Sequence, residues 1–117
     1  MLAFNMRTPL LLILLFASAV AHAETVDVQY QGPVNVDSFD CADITRSSFI
    51  NRFCCHEGER YLIVQLRSRY YHYCAIGGNV VAAFMAAPSM GRFYNANIKS
   101  SSNDGLYDCR NHEVPRF

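Results

Sequence analysis

The sequence predicts a small α+β fold: a three-stranded antiparallel β-meander packed against two short helices and stapled by disulfides. Three observations carry this reading. Residues 48–76 hold three runs rich in β-branched and aromatic side chains, separated by short polar turns. Residues 80–99 then hold two helix-like patterns. All five cysteines lie beyond residue 40, in a chain of 117 residues without tryptophan, so covalent staples must supplement a limited core.

The first element is a leader. Arg7 is the only charge before Glu24, a purely apolar run covers Leu10 to Phe16, and "ASAVAHA" (17–23) follows. Ala21 and Ala23 fit the small-x-small pattern of a signal-peptidase site, so residues 1–23 read as a signal peptide, with Met6 as an alternative start. The apolar run is shorter than the roughly 20 residues a membrane span needs. The expected destination is the periplasm or the exterior, with no integral membrane span after cleavage.

Cleavage after Ala23 leaves 94 residues, with nine basic and ten acidic side chains. The charge is unevenly placed. Residues 24–43 carry five acids and no base, whereas residues 44–117 carry nine bases and five acids. Such a chain either attracts anions to its basic body or pairs its own segments, and the second reading is favoured.

"TVDVQY" (25–30) alternates Val26, Val28 and Tyr30 with polar residues, a weak strand signal that "QGP" (31–33) interrupts. "NVDSFDCADITR" (35–46) reads as an acidic, irregular wrap, which makes residues 24–46 an acidic N-terminal segment. The meander follows: "SFINRFC" (48–54), "RYLIVQL" (60–66) and "YYHYCAI" (70–76), joined by "HEGE" (56–59) and "RSR" (67–69). "GGN" (77–79) ends it. "VVAAFMAA" (80–87) reads as a largely buried helix with Asn79 as N-cap and Pro88 as its stop. Ser89 can cap a second helical segment, "SMGRFYNANIK" (89–99). Residues 100–117 form a C-terminal extension, opening on the polar loop "SSSNDG" and then able to return along the sheet.

Several of these stretches together resemble the KTSC domain, named for lysyl-tRNA synthetase C-terminal extensions. The resemblance covers residues 47–99. It rests on Ser47, Ser48 and Ile50, on Tyr71 and Tyr73, on Ser89 and Gly91, on Tyr94 and Asn95, and on Ile98 and Lys99. Cys55 and His56 replace the Tyr-Asp pair that the family carries at the end of its first strand. The leader, the acidic segment and the cysteines mark an exported, disulfide-containing subgroup. For function, the resemblance implies only a suggested link to RNA through the synthetase.

Candidate chemistry is concentrated in "RYYHYC" (69–74). Alternation along a strand puts Tyr71 and Tyr73 on one face, with Tyr70, His72 and Cys74 on the other. Two readings stand for Tyr71 and Tyr73. They form a stacking surface for bases beside Arg67 and Arg69, or they pack beneath the first helix as core, the favoured reading. The cysteine and histidine residues lack paired zinc half-sites, although "CRNH" (109–112) mimics one, so no metal is expected. No cofactor motif is present: "GGN" lacks the glycines and lysine of a phosphate loop. Cys55 with His72 or His112 would make a nucleophile pair, but no oxyanion or orienting-carboxylate motif accompanies them, and Ser47 and Ser48 precede a strand rather than sit on a nucleophile elbow. These two serines are expected to bond nearby backbone at the strand entry.

Because Cys55 stands where the family has tyrosine, the resemblance implies that it is the free thiol, able to bridge two chains. The other four cysteines allow three pairings. The expected one joins Cys54 to Cys74 at the ends of the first and third meander strands, and Cys41 to Cys109. The resulting expectation is a non-enzymatic binding or structural module of the cell envelope. Nucleic-acid binding through Arg67, Arg69, Tyr71 and Tyr73 is the disfavoured alternative.

Overall fold

The computed structural model describes residues 23–117. The expected signal peptide therefore lies outside the described residues, except for its last residue. The fold is α+β, but the sheet has six strands rather than three. These are β1 (Thr25–Val28), β2 (Gly32–Asn35), β3 (Asp40–Asp43), β4 (Ile50–His56), β5 (Tyr61–Leu66) and β6 (Arg69–Tyr73), in the spatial order β2-β1-β6-β5-β4-β3. The three expected strands form the centre as an antiparallel meander. The acidic segment supplies the other three. β1 and β2 make a hairpin, and β1 joins β6 in parallel through Val28 and Tyr70. β3 pairs antiparallel with β4. The 35–46 stretch is thus partly a strand, because the free edge of β4 outweighs its weak intrinsic preference.

β5 is buried on both faces, which is why "YLIVQL" is almost continuously apolar. Leu62 and Val64 face a core shared with Ile50, Phe53 and Tyr73. Tyr61 and Ile63 face a second core with Cys54 and Cys74. Ile50 and Phe53 reach the same face because the ladder shifts register between Ile50 and Arg52.

Helix α1 (Gly78–Ala86) covers the first face with Val81 and Phe84, and its alanines at 82, 83 and 86 lie exposed. It is therefore buried along one stripe, not largely buried as its composition suggested. Gly77, not Asn79, occupies the N-cap, with no side-chain cap bond. After Pro88, α2 (Met90–Phe93) runs into a π-helical turn over Tyr94–Ile98, and together they bury Met90, Tyr94 and Ile98. Ser89 caps α2 as expected, its Oγ accepting the Arg92 backbone N–H at 3.2 Å.

Among the described residues no α-helix covers the second face, which a 3-10 turn, Cys109–Asn111, reaches through Cys109. Val34 of edge strand β2 and Cys41 of the opposite edge strand β3 pack into one cluster there, so the sheet curls over itself. Glu24, leading into β1, contacts Arg52 of β4 at 2.7 Å. In a flat sheet these strands would stand three spacings apart, roughly 14 Å. Asp43 also approaches Arg52, at 3.7 Å, so acidic N-terminal residues do pair with the basic body. The C-terminal extension closes the same side: Asp108 bridges to Tyr73, Cys74 N–H donates to the Tyr107 carbonyl, and Val114 packs against the cluster.

The disulfides correct the expected pairing. They join Cys41 to Cys54 and Cys74 to Cys109, and Cys55 is free. β5 lies between β4 and β6, so Cys54 and Cys74 are separated by about two strand spacings, beyond the Cα reach of a disulfide. Cys41 instead sits directly opposite Cys54 in the β3–β4 register.

Candidate functional site

Two segments remote in sequence meet at one end of the helix-covered face. The chain entering β4 contributes Arg46, Ser47, Ser48 and Phe49. The α1–α2 junction contributes Pro88, Ser89, Gly91 and Arg92, with Asn95 one turn further on. Together they line a cleft of about 430 Å³.

Local chemistry fixes each wall. Ser47 Oγ accepts the N–H groups of Ile50 at 3.1 Å and Phe49 at 3.4 Å, the expected strand-entry bonds. Arg46 reaches across to the end of α1, donating to the Met85 and Ala87 carbonyls at 2.7 and 2.9 Å. These bonds satisfy carbonyls that a helix end leaves unpaired. Gly91 is required sterically: a Cβ there would stand 2.5 Å from the Phe49 ring, so the two walls meet only with glycine.

The cleft is positive. Neither Arg46 nor Arg92 lies within ion-pair distance of a carboxylate among the described residues, and no acid lines the walls. The hydrogen-bond partners of Arg46 are neutral carbonyls. Ser47 and Ser89 use oxygen lone pairs to accept backbone N–H groups, which leaves their hydroxyl protons available to donate. Five of these residues, Ser47, Ser48, Ser89, Gly91 and Asn95, are ones whose order and spacing stood out in the sequence. Residues 46–101 match the family model of the KTSC domain. No curated protein and no solved structure matches the chain.

The matched KTSC segment spans β4, β5, β6, α1 and α2, and its motif residues divide by role. Ile50, Tyr73, Tyr94 and Ile98 are core. The Tyr73 and Tyr94 hydroxyls bond each other, and burial raises both phenol pKa values. Ser47, Ser89 and Gly91 shape the cleft, and Ser48 and Asn95 line it while exposed. Lys99 follows the π-helical turn, its N–H donating to the Tyr94 carbonyl, and does not line the cleft.

The residues proposed for base stacking do not form a platform. Tyr73 is 3% exposed, and Tyr71 is half-buried against the same core. Arg67 and Arg69 are exposed around the β5–β6 turn. Tyr71 borders a different cleft, of about 460 Å³, with Tyr30, His72, Asp108 and Arg110. Arg110 holds the Asp108 carboxyl below its usual range through a bond of 2.6 Å, and burial lowers His72.

Cys55 is half-buried on the helix-covered side, and burial, then Asp40 and Glu57, raise its thiol pKa. This favours the unreactive thiol over the thiolate. The two histidine candidates are engaged elsewhere: His72 Nδ1 bonds Tyr61 Oη and His112 Nε2 bonds the Leu106 carbonyl, while the adjacent His56 Nδ1 accepts from Glu59 N–H.

Sequence reasoning singled out five cleft residues as motif positions but missed Arg46 and Arg92. The available signal was their position: Arg46 directly precedes Ser47-Ser48, and Arg92 directly follows Gly91.

Proposed function

We propose that this protein is a non-enzymatic binding module of the cell envelope, exported by its 1–23 leader, and that its ligand sits in the cleft between Ser48 and Asn95. The observation that carries the reading is the composition of that cleft. Two separated motif segments place exposed polar side chains around it that no core or capping role accounts for, in particular Ser48, Arg92 and Asn95.

Export is supported by two disulfides, which form and persist in oxidising compartments. Among the described residues no helix is long and apolar enough to cross a membrane. We read the chain as an exported, disulfide-containing relative of the KTSC domains found on lysyl-tRNA synthetases. RNA binding through Arg67, Arg69, Tyr71 and Tyr73 has little support, since a buried Tyr73 offers no ring face to a base.

Site-specific photo-crosslinking in cells tests the binding reading. A photoreactive residue at Asn95, in the cleft, is expected to give a discrete adduct. The same residue at Gln31, in the β1–β2 turn, is expected to give none. An adduct from Gln31 alone would move the binding surface away from the cleft.

A further inference from the structure

Resting on that reading of the cleft, we propose that the ligand presents a phosphate group there. The donor inventory argues for an oxyanion. Arg46 spends two of its five N–H donors on carbonyls and keeps three. Arg92 uses only its backbone N–H, in the Ser89 cap, and its exposed guanidinium has no hydrogen-bonded partner among the described residues. The Ser47 and Ser89 hydroxyls can donate, and Ser48 and Asn95 add further donors to the same space. No carboxylate lines the cleft to compete for these groups or to repel an anion.

Geometry favours phosphate over a planar carboxylate. The donors come from two opposing walls, the β4 entry and the α1–α2 junction, and a tetrahedral oxyanion offers oxygens to both at once. Guanidinium groups pair with such oxygens through two parallel bonds. The cleft is open and much larger than one phosphate, so the group belongs at the end of a larger molecule. A phospholipid headgroup and a soluble phosphate ester share this chemistry.

The test uses the oxidised chain beginning at Glu24, isotopically labelled for amide NMR and titrated with inorganic phosphate against chloride at matched ionic strength. Saturable shifts are expected at Ser48, Ser89, Arg92 and Asn95 with phosphate only. Arg92→Glu should weaken binding at least about tenfold. Its side chain makes no hydrogen bond within the fold, and the unshifted amides of β5 report that the variant is folded. Arg92→Lys should restore part of the response.

Absence of saturable shifts at millimolar phosphate, or shifts unaffected by Arg92→Glu, would overturn the proposal. Should the Asn95 crosslink persist while phosphate gives no shift, the cleft still binds a ligand but phosphate is the wrong chemistry. Loss of both removes the binding reading as well. Vesicles of phosphatidylglycerol, with phosphatidylcholine as control, separate the two sources. Arg92-dependent co-sedimentation with the former assigns a lipid headgroup, and phosphate shifts without co-sedimentation assign a soluble ester.

Discussion

The two faces of the sheet are built on different principles. One is covered by α1 and α2 and closed by apolar packing around Phe84, Met90 and Ile98, with the Tyr73–Tyr94 hydroxyl pair inside it. The other has no α-helix among the described residues. It is closed by β1, β2, β3 and the C-terminal extension, and each disulfide ties one of these flanks to the matched segment: Cys41 to Cys54, and Cys109 to Cys74. Residues 46–101 thus provide one complete core and one bare apolar surface bearing Tyr61 and Ile63, and the additions on either side cover that surface. The disulfides and the helix-covered core of the matched segment are thus segregated to opposite faces. The cleft lies on the helix-covered side, and all its lining residues fall within the matched segment.

Each expected effect follows from that division. The largest should come from the helix-covered core. Phe84 is fully buried, and Phe84→Ala should cost about 3–5 kcal/mol in chemical denaturation. A loss below about 1 kcal/mol would mean that α1 is only loosely applied to the sheet.

On the other face, the disulfides should matter in order of the loops they close. Sequence separations of 35 and 13 residues give about 4 kcal/mol for Cys74–Cys109 and about 3 kcal/mol for Cys41–Cys54 in the chain-entropy account. Thermal unfolding of the two double-alanine variants measures both, and the reverse order would show that the N-terminal flank is the more important cover. Tyr94→Phe should cost about 1–2 kcal/mol by leaving the buried Tyr73 hydroxyl without its partner, while converting both tyrosines to Phe should recover much of the loss.

The smallest effect concerns the exposed ion pair between the faces. Arg52 holds the Glu24 carboxyl below its ordinary range by direct hydrogen bonding. A carboxyl lowered in the folded state stabilises at pH above its unfolded value, and that contribution fades as pH falls through the folded value. Glu24→Gln should therefore remove less than about 1 kcal/mol at neutral pH and make no difference once acid has protonated Glu24. A larger effect at low pH than at neutral pH would contradict this assignment.

The central meander and both helical segments were legible because their residues satisfy local rules: β-branched and aromatic runs, polar turns, and Ser89 as a cap. β2 and β3 were not, for a physical reason. "GPVN" and "DCAD" have poor strand preference, and they pair only because β1 and β4 offer unpaired edges. The disulfide pairing followed from the same omission, since a three-stranded sheet contains no strand on which Cys41 can face Cys54. The cleft was half visible. Ser47, Ser48, Ser89, Gly91 and Asn95 stood out as a pattern, but nothing local connects Arg46 to Arg92. The close approach of Gly91 to Phe49 and the Arg46 bonds to the Met85 and Ala87 carbonyls bring those walls together.

Amide hydrogen exchange on the Cys74→Ala/Cys109→Ala double variant tests the division of the molecule most directly. Protection is predicted to fall over residues 102–117 while β4, β5 and α1 keep theirs, because the helix-covered core does not depend on the C-terminal flank. Equal loss of protection in α1 and in residues 102–117 would contradict the account and make the two faces a single cooperative unit.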